Sequence, residues 1–369
     1  PTCTGRLPCA LLSRGVAVLR SGETAAPRSL AYGTESAEAL PRFAAVPLPL
    51  GSDLGSPTAR LFALPQPAGM GSFRVERLTY SHKDQEVTGL LFERVEPPLQ
   101  DGAPLLVHAH GGPAIGVLAS LRAAADQTRY PYRHFLMAGY RLFLPLFRGT
   151  LAFGDAWAQG NIAGQGSLEG DLGDILAGVD WLQAHHPRLR DTLEPSRTGI
   201  FGGSYGGYLT IRALACCPGY FGAGVAEYGF VHTRWMTYEG GDFTWEDEYR
   251  LQAPASDALS PISVASDVWP ATDKLEASDS FNVLHNIREP LLLMHGEKDD
   301  ICQVSQSQVV FHMLEKQAVP TGLIIYPDEG HGFDQPKHQR DRDRRMLAWF
   351  SEHLKCTLDP VPDFRDNMS

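Results

Sequence analysis

The chain has 369 residues, 43% of them hydrophobic and 20% charged, and its formal net charge is −11. This composition is typical of a globular protein with room for one large domain or two ordinary ones. The negative charge argues against nucleic acid and anionic membrane surfaces as partners, and no apolar run approaches the roughly 20 residues of a membrane helix.

Residues 1–70 differ from the rest of the chain. Runs at 11–12, 15–19 and 29–32 are typical of short strands, whereas residues 41–67 carry many prolines, glycines and alanines with little periodicity. Such short pieces cannot bury a core of their own. We predict a partial N-terminal β segment, which is either the end of a larger β structure or a disordered leader.

From residue 73, strands and helices alternate. Residues 73–80 and 87–92 predict an antiparallel pair around a turn at 83–85. The later strands are apolar throughout, which predicts a mostly parallel sheet with helices on both faces. The predicted strands are 104–109, 140–144, 198–201, 224–227, 290–295 and 321–326, and the predicted helices are one that ends at 135–139, then 168–185, 208–217, 304–316 and 344–354.

The segment 197–214 reads RTGIFGGSYGGYLTIRAL, and it carries a serine in the pattern G-x-S-x-G between an apolar strand and a helix. This context is typical of the nucleophile elbow of α/β-hydrolases. Gly202 and Gly206 leave room for the sharp turn, and the N-terminus of the helix favours negative charge. The motif alone also fits an ordinary glycine-rich loop, but its partners favour Ser204 as a nucleophile.

A nucleophilic serine needs a base and a carboxylate that orients the base, in the chain order Ser, acid, His for this fold. Asp299 and Asp300 follow a predicted strand in LLLMHGEKDD, and His331 follows the next strand in YPDEGHGF. Because the carboxyl ends of parallel strands lie along one edge, we expect these side chains to meet Ser204 there. His295, at the end of its strand, is more typical of a structural histidine.

The negative charge that develops on a substrate carbonyl oxygen requires two waiting N–H donors. We expect one to be the backbone N–H of Tyr205, the residue after the nucleophile. The other should come from the glycine-containing loop 110–113, which is of the HGGG type, although the same residues also fit an ordinary turn.

Six motifs together resemble the catalytic domain of the prolyl oligopeptidase family of serine peptidases, and most closely its acylaminoacyl and dipeptidyl peptidase-like members. The resemblance spans about residues 73–358 and implies an α/β-hydrolase fold. It also implies that Ser204, Asp299 and His331 form the triad and that Gly112 and Tyr205 donate to the oxyanion. The motifs are HAHGGP at 108–113, FRGTLAFG at 147–154, GDLGDILAGVDWL at 170–182, GGSYGGYL at 202–209, LMHGEKDD at 293–300 and YPDEGHGF at 326–333.

The resemblance further implies three regions. Residues 1–70 would be a partial β segment, either the last blade of a propeller or a disordered leader. Residues 71–358 would be the peptidase domain, and residues 359–369 a C-terminal tail. The segment after the strand at 224–227 borders the specificity pocket in this family, so Tyr228, Phe230 and Trp235 are candidates to line an apolar pocket, although they also fit core positions beneath a solvated loop. Acidic residues within 239–248 either bind a substrate amine or form a solvated loop.

We therefore predict a serine-type peptidase that hydrolyses short peptides through an acyl-enzyme. The alternative is a carboxylesterase-like hydrolase acting on small esters, since fold and triad do not determine the leaving group. A third class, a non-catalytic interaction module, is disfavoured by the complete Ser-Asp-His set. We expect no metal and no cofactor, a cytoplasmic location because six scattered cysteines suit a reducing compartment, and a possible homo-oligomer.

Overall fold

The computed structural model describes the side chains of residues 73–100, 102–116, 130–151, 153–161, 165–190, 193–233, 235–236, 277–355 and 359, and the backbone of five strands that begin before residue 73. The predicted run at 11–12 and the acidic residues of 239–248 lie outside the described residues. Among the helices of the described part, none combines the length and apolar composition needed to cross a membrane.

The described strands form one sheet of four and one sheet of eight. The helices described are α1 (Tyr132–Ala138), α2 (Asp155–Ala158), α3 (Asp171–His185), α4 (Tyr205–Cys216), α5 (Val304–Lys316) and α6 (Pro336–His353). The strands are β1 (Val16–Leu19), β2 (Ser29–Ser36), β3 (Ala39–Pro47), β4 (Arg60–Ala63), β5 (Ser72–His82), β6 (Gln85–Glu96), β7 (Leu105–His108), β8 (Arg141–Leu146), β9 (Thr198–Gly203), β10 (Ala223–Glu227), β11 (Leu291–Gly296) and β12 (Thr321–Tyr326).

Strands β1 to β4 form an antiparallel sheet in which each strand pairs with the next. Strand β3 extends into residues 41–67 and strand β4 lies within them, although the sequence of this stretch showed little periodicity. Its frequent prolines and glycines hide the strand pattern. The assignment of this segment to a propeller blade stays a prediction, as do the boundaries of the three regions.

The eight-stranded sheet has the order β12-β11-β10-β9-β7-β8-β6-β5. Strands β7 to β12 pair in parallel, and β5 and β6 add an antiparallel edge. The β5–β6 hairpin turns at Lys83 and Asp84, whose φ angles of 49° and 60° are those of a tight hairpin turn. The predicted mostly parallel sheet is therefore present.

Helices cover both faces of this sheet. Neighbouring residues of a strand point to opposite faces, and accordingly Ile200 and Phe201 of β9 belong to different hydrophobic cores, as do Leu293 and Leu292 of β11. One core includes residues of α3, α4 and α5, and the other includes residues of α1 and α6. Since both faces are buried, the strands carry the continuous apolar runs seen in the sequence.

Helix α6 differs from its prediction. It begins at Pro336, whereas the apolar pattern predicted a start near residue 344. Its first eight residues, PKHQRDRD, contain no apolar repeat that periodicity would detect, but proline suits the first turn of a helix because that turn needs no N–H donor at this position. The missing apolar stripe explains the late prediction.

Candidate active site

The backbone at Ser204 forms a sharp turn between β9 and α4. Its φ of 58° and ψ of −122° are rarely adopted by a residue with a side chain. The Ser204 N–H donates to the carbonyl oxygen of Glu227 (3.0 Å), and the Ser204 carbonyl accepts the N–H of Tyr208 (3.0 Å). These two bonds hold the strained turn between β10 and the first turn of α4, so that the serine side chain projects from the carboxyl edge of the sheet.

Two glycines of the elbow allow the end of β7 to approach. A Cβ built on Gly202 or on Gly206 would collide with the carbonyl oxygen of Ala109. The Ala109 N–H in turn donates to the carbonyl of Phe201 at 2.9 Å. The loop 110–113 therefore leaves the sheet directly beside the elbow. Within it, Gly112 adopts a φ of 111°, a conformation that favours glycine.

The loop 110–113 is braced from the neighbouring loop after β8. The ring of His110 stacks on Phe147 with centroids 4.1 Å apart, and its Nε2 lies 2.8 Å from Thr150 Oγ1. Burial lowers the pKa of His110 to about 4, so this ring is neutral near pH 7. The N–H of Leu151 also donates to the carbonyl of Ile115 at 3.0 Å. These contacts join two motifs that the sequence showed only as separate loops.

Ser204, His331 and Asp299 form a chain of hydrogen bonds. His331 Nε2 lies 2.8 Å from Ser204 Oγ, and its Nδ1 lies 2.9 and 3.1 Å from the two carboxylate oxygens of Asp299. A carboxylate only accepts, so Nδ1 carries the proton and Nε2 is free to accept the serine proton. The serine and histidine are partly exposed and the acid is buried, so a substrate can reach the first two only.

The carboxylate of Asp299 is held by four donors. Its Oδ1 accepts the N–H groups of Ile301 (3.0 Å) and Cys302 (2.9 Å) in addition to the bond from His331, and its Oδ2 lies 3.2 Å from His295 Nε2. Burial alone would raise the pKa of Asp299, but hydrogen bonds from His295 and His331 outweigh it and lower the pKa to about 2. The acid is therefore ionised throughout the neutral range.

His295 is a neighbour of Asp299. The sequence predicted a structural histidine at this position but not its contacts. It is fully buried; its Nε2–H is shared between the carbonyl of Cys302 (2.7 Å) and Asp299 Oδ2 (3.2 Å), and its Nδ1 lies 2.7 Å from Ser307 Oγ. Since Nε2 carries the proton, Ser307 donates to Nδ1. These bonds join β11, the loop after it and α5, so His295 supports the loop that carries Asp299.

Glu329 holds the loop that carries His331, and the sequence analysis did not single it out. Its buried carboxylate accepts the N–H groups of Asp334 (2.9 Å) and Gln335 (3.0 Å) and contacts His338 Nδ1 at 2.6 Å. The loop before His331 is thus tied to the start of α6. A glutamate two residues before the histidine gave no recognisable signal, because its partners lie beyond the motif.

The three candidate pocket residues differ in environment. Tyr228 is buried, with its ring edge-on to His331 at a centroid distance of 5.1 Å. Phe230 is also buried and stacks on Tyr208 at 4.6 Å. Trp235 is 44% exposed and stacks on His232 at 4.9 Å. Their role in a substrate pocket stays a prediction.

The described residues contain no group of three or more His, Cys, Asp or Glu side chains arranged to hold a metal ion. The titratable groups nearest Ser204 instead pair with one another, as the bonds of Asp299 and His331 show. The donor set at this edge of the sheet suits proton transfer and nucleophilic attack.

Comparisons with known proteins agree with the motifs. The family model described as Prolyl oligopeptidase family matches residues 129–357. The uncharacterized peptidase YuxL of Bacillus subtilis is 26% identical over 76% of this chain and 39% of its own length. The acylamino-acid-releasing enzyme 1 of rice, Oryza sativa, is 24% identical over 81% of this chain and 36% of its own length. The chain therefore spans less than half the length of these relatives.

The acylaminoacyl peptidase of Pyrococcus horikoshii has a similar solved structure. It superposes with a TM-score of 0.70 over 89% of this chain and 49% of its own, at 22% sequence identity. This similarity confirms the predicted α/β-hydrolase fold. The family match extends over more than half of the chain, and the chain belongs to the prolyl oligopeptidase family.

Proposed function

We propose that the chain is a serine-type peptidase that cleaves short peptides through an acyl-enzyme on Ser204. The observation that carries the proposal is the hydrogen-bond chain from Ser204 through His331 to the ionised Asp299. Membership of the prolyl oligopeptidase family supports it. Of the two relatives described above, one is named a peptidase and the other an acylamino-acid-releasing enzyme.

In the acylation step, Ser204 Oγ attacks the peptide carbonyl carbon while His331 Nε2 takes the serine proton. The new C–O bond places the former carbonyl electron pair on oxygen. We assign the backbone N–H groups of Tyr205 and Gly112 to this oxyanion. Asp299 stabilises the protonated imidazole and keeps its proton-bearing Nδ1 toward the carboxylate.

Collapse of the intermediate breaks the C–N bond, and His331 gives its proton from Nε2 to the leaving amine. Water then attacks the acyl-serine while His331 takes one water proton. The second tetrahedral intermediate collapses to a carboxylic acid, and Ser204 regains its proton from His331. Each proton thus passes through one nitrogen, which the geometry already aims at Ser204.

A matched pair of substrates separates the peptidase from the esterase alternative. The same N-acyl peptide is offered as a p-nitroanilide and as a p-nitrophenyl ester, and kcat/KM is measured for both. We expect hydrolysis of both, with the amide reaction abolished in Ser204→Ala. Turnover of the ester with no detectable turnover of the amide would favour the carboxylesterase.

We propose that Tyr228, Phe230 and Trp235 contribute to the recognition of the residue before the scissile bond. The edge contact of Tyr228 with His331 supports its position beside the reacting bond.

The preference for short peptides is a separate part of the proposal. A peptide series from dipeptide to a loosely folded protein measures the preferred length. We expect kcat/KM to be highest for short peptides, and equal rates along the series would contradict this part of the proposal.

Self-association and a cytoplasmic location are further proposals. Leu151, whose N–H donates to the carbonyl of Ile115, is 40% exposed and the nearby Phe153 is 41% exposed. Apolar surface of this kind favours association. Sedimentation velocity over a range of concentrations tests it. The described cysteines Cys216, Cys217 and Cys302 are free thiols, which supports a reducing compartment.

A further inference from the structure

Tyr205 has two ends that face different parts of the molecule. Its backbone follows Ser204 at the start of α4, where its N–H is the oxyanion donor of the proposed function. Its side chain lies in the interior, only 1% exposed, and its hydroxyl donates to Asp171 Oδ2 at 2.5 Å. A single residue therefore connects the edge of the sheet to the beginning of α3.

Asp171 is itself immobilised. It is fully buried, and its other oxygen, Oδ1, accepts the N–H groups of Gly166 and Leu172, each at 2.7 Å. The carbonyl of Gly166 in turn accepts Arg212 Nε of α4 at 3.0 Å. The carboxyl group is thus fixed to α3, to the loop before α3 and, through Gly166, to α4. A phenol that donates to it is held in one position.

The start of α4 has no side-chain cap. Ser204 occupies the N-cap and gives no side-chain hydrogen bond to the first turn, as is also the case for the N-cap residues of the other described α-helices. Ser204 Oγ is engaged with His331 instead. Backbone hydrogen bonds hold Ser204 and Tyr208, and the bond of the Tyr205 hydroxyl adds a fixed point between them. An oxyanion donor is effective only when it is aimed before the charge develops.

We propose that the hydrogen bond from Tyr205 to Asp171 positions the Tyr205 N–H for the oxyanion, which makes Asp171 a positioning residue for acyl transfer. This inference rests on the proposed function. Burial and the charge of Asp171 raise the pKa of the Tyr205 phenol well above its usual range, so the hydroxyl keeps its proton and remains a donor. The bond acts on the transition state, because the oxyanion forms only there.

The test compares Tyr205→Phe with a matched control, Tyr208→Phe. Both tyrosines lie in the first turn of α4, both are buried, and Tyr208 donates its hydroxyl to the carbonyl of Ser278 at 2.7 Å. Each substitution removes one buried phenol oxygen. Tyr205→Phe loses the bond to Asp171 and a hydrogen bond with Asn161. Tyr208→Phe loses the bond to Ser278 and a longer contact, 3.5 Å, with the carbonyl of Gln165. Thermal unfolding of both variants shows that each is folded and measures the general cost of that loss.

We expect kcat of Tyr205→Phe to fall about tenfold, with KM within about twofold of the parent, and kcat of Tyr208→Phe to stay close to the parent. A peptidyl trifluoromethyl ketone forms a tetrahedral oxyanion with the serine, so it should inhibit Tyr205→Phe less strongly. Its inhibition constant should rise by the same factor by which kcat falls. Equal kcat values in the two variants would overturn the proposal, as would a rise in KM with kcat unchanged.

Asp171→Asn gives a second measurement of the same bond. If Asp171 acts through Tyr205, the double variant with Tyr205→Phe should lose no more kcat than the poorer single variant. Additive losses would overturn the proposal. Ser204→Ala distinguishes a failure of this inference from a failure of the proposed function. If the proposed function is wrong, Ser204→Ala keeps its peptidase activity. If only this inference is wrong, Ser204→Ala is inactive.

Discussion

Two adjacent aspartates follow β11, and of the two it is Asp299 that faces His331. Its carboxylate is buried and hydrogen-bonded to the imidazole, whereas Asp300 is exposed. Because the acid must orient the imidazole and stabilise its protonated form, Asp299→Asn should lower kcat by about 10⁴-fold. Asp300→Asn should change kcat by less than about tenfold. Steady-state kinetics on one peptide substrate measures both, and equal losses would show that the acid is misassigned.

At the scale of secondary-structure elements, the contact between α4 and β7 depends on a glycine. An added Cβ at Gly206 would meet the Ala109 carbonyl, whereas at Gly116 it would meet no described atom within 4 Å. Glycine to alanine in a helix is otherwise stabilising by up to about 1 kcal/mol. Gly206→Ala should nevertheless destabilise the fold by about 1–3 kcal/mol and reduce activity, as backbone cannot move aside easily.

Urea unfolding measures this effect, with Gly116→Ala as the matched control. We expect the control to leave the free energy of unfolding and kcat/KM nearly unchanged. A Gly206→Ala protein as stable and as active as the parent would mean that the end of β7 does not press on the elbow.

The junction of α3 with α4 should make stability depend on pH. Burial raises the pKa of Asp171 to about 7, and the nearby charge of Asp174 adds to this, although hydrogen bonds from Tyr205 and two backbone N–H groups oppose it. The unfolded chain releases the same proton near pH 3.8. The folded state therefore binds it more tightly, and the resulting stability is complete below about pH 4 and is lost as the pH rises through about 7.

Asparagine does not titrate, so the comparison with Asp171→Asn isolates this effect. The difference in free energy of unfolding should shift in favour of the variant between pH 4 and pH 7, by at most about 1.4 kcal/mol per pH unit. Urea unfolding at pH 4.5, 6 and 8 measures it. The same difference at all three pH values would contradict the raised pKa.

For the molecule as a whole, most of the predicted fold and site followed from local sequence patterns. The apolar runs of β7, β9 and β11 are strong signals because both faces of the sheet are buried, and the glycines around Ser204 and His331 mark the loops at its edge. The sheet and the meeting of Ser204 with His331 could be predicted for that reason.

The supporting contacts could not be predicted in the same way. Asp171 and Tyr205 are separated by 34 residues, and the polar start of α6 shows no apolar repeat. Such pairs depend on how α3 and α4 pack on one face of the sheet, which no single segment encodes. For His295, the position at the end of β11 indicated a structural role, but its direct contact with Asp299 required the folded loop.

Ser204 is the proposed nucleophile of a peptidase, and covalent labelling tests this role directly. The chain and its Ser204→Ala variant are treated with a fluorophosphonate probe, the adduct is mapped by mass spectrometry, and hydrolysis of one peptide substrate is followed in parallel. We expect an adduct on Ser204 in the parent, no adduct at residue 204 in the variant, and a fall in kcat of about 10³ to 10⁶-fold. An adduct on another serine with Ser204 unmodified, or a variant that still cleaves the peptide at the parent rate, would contradict it.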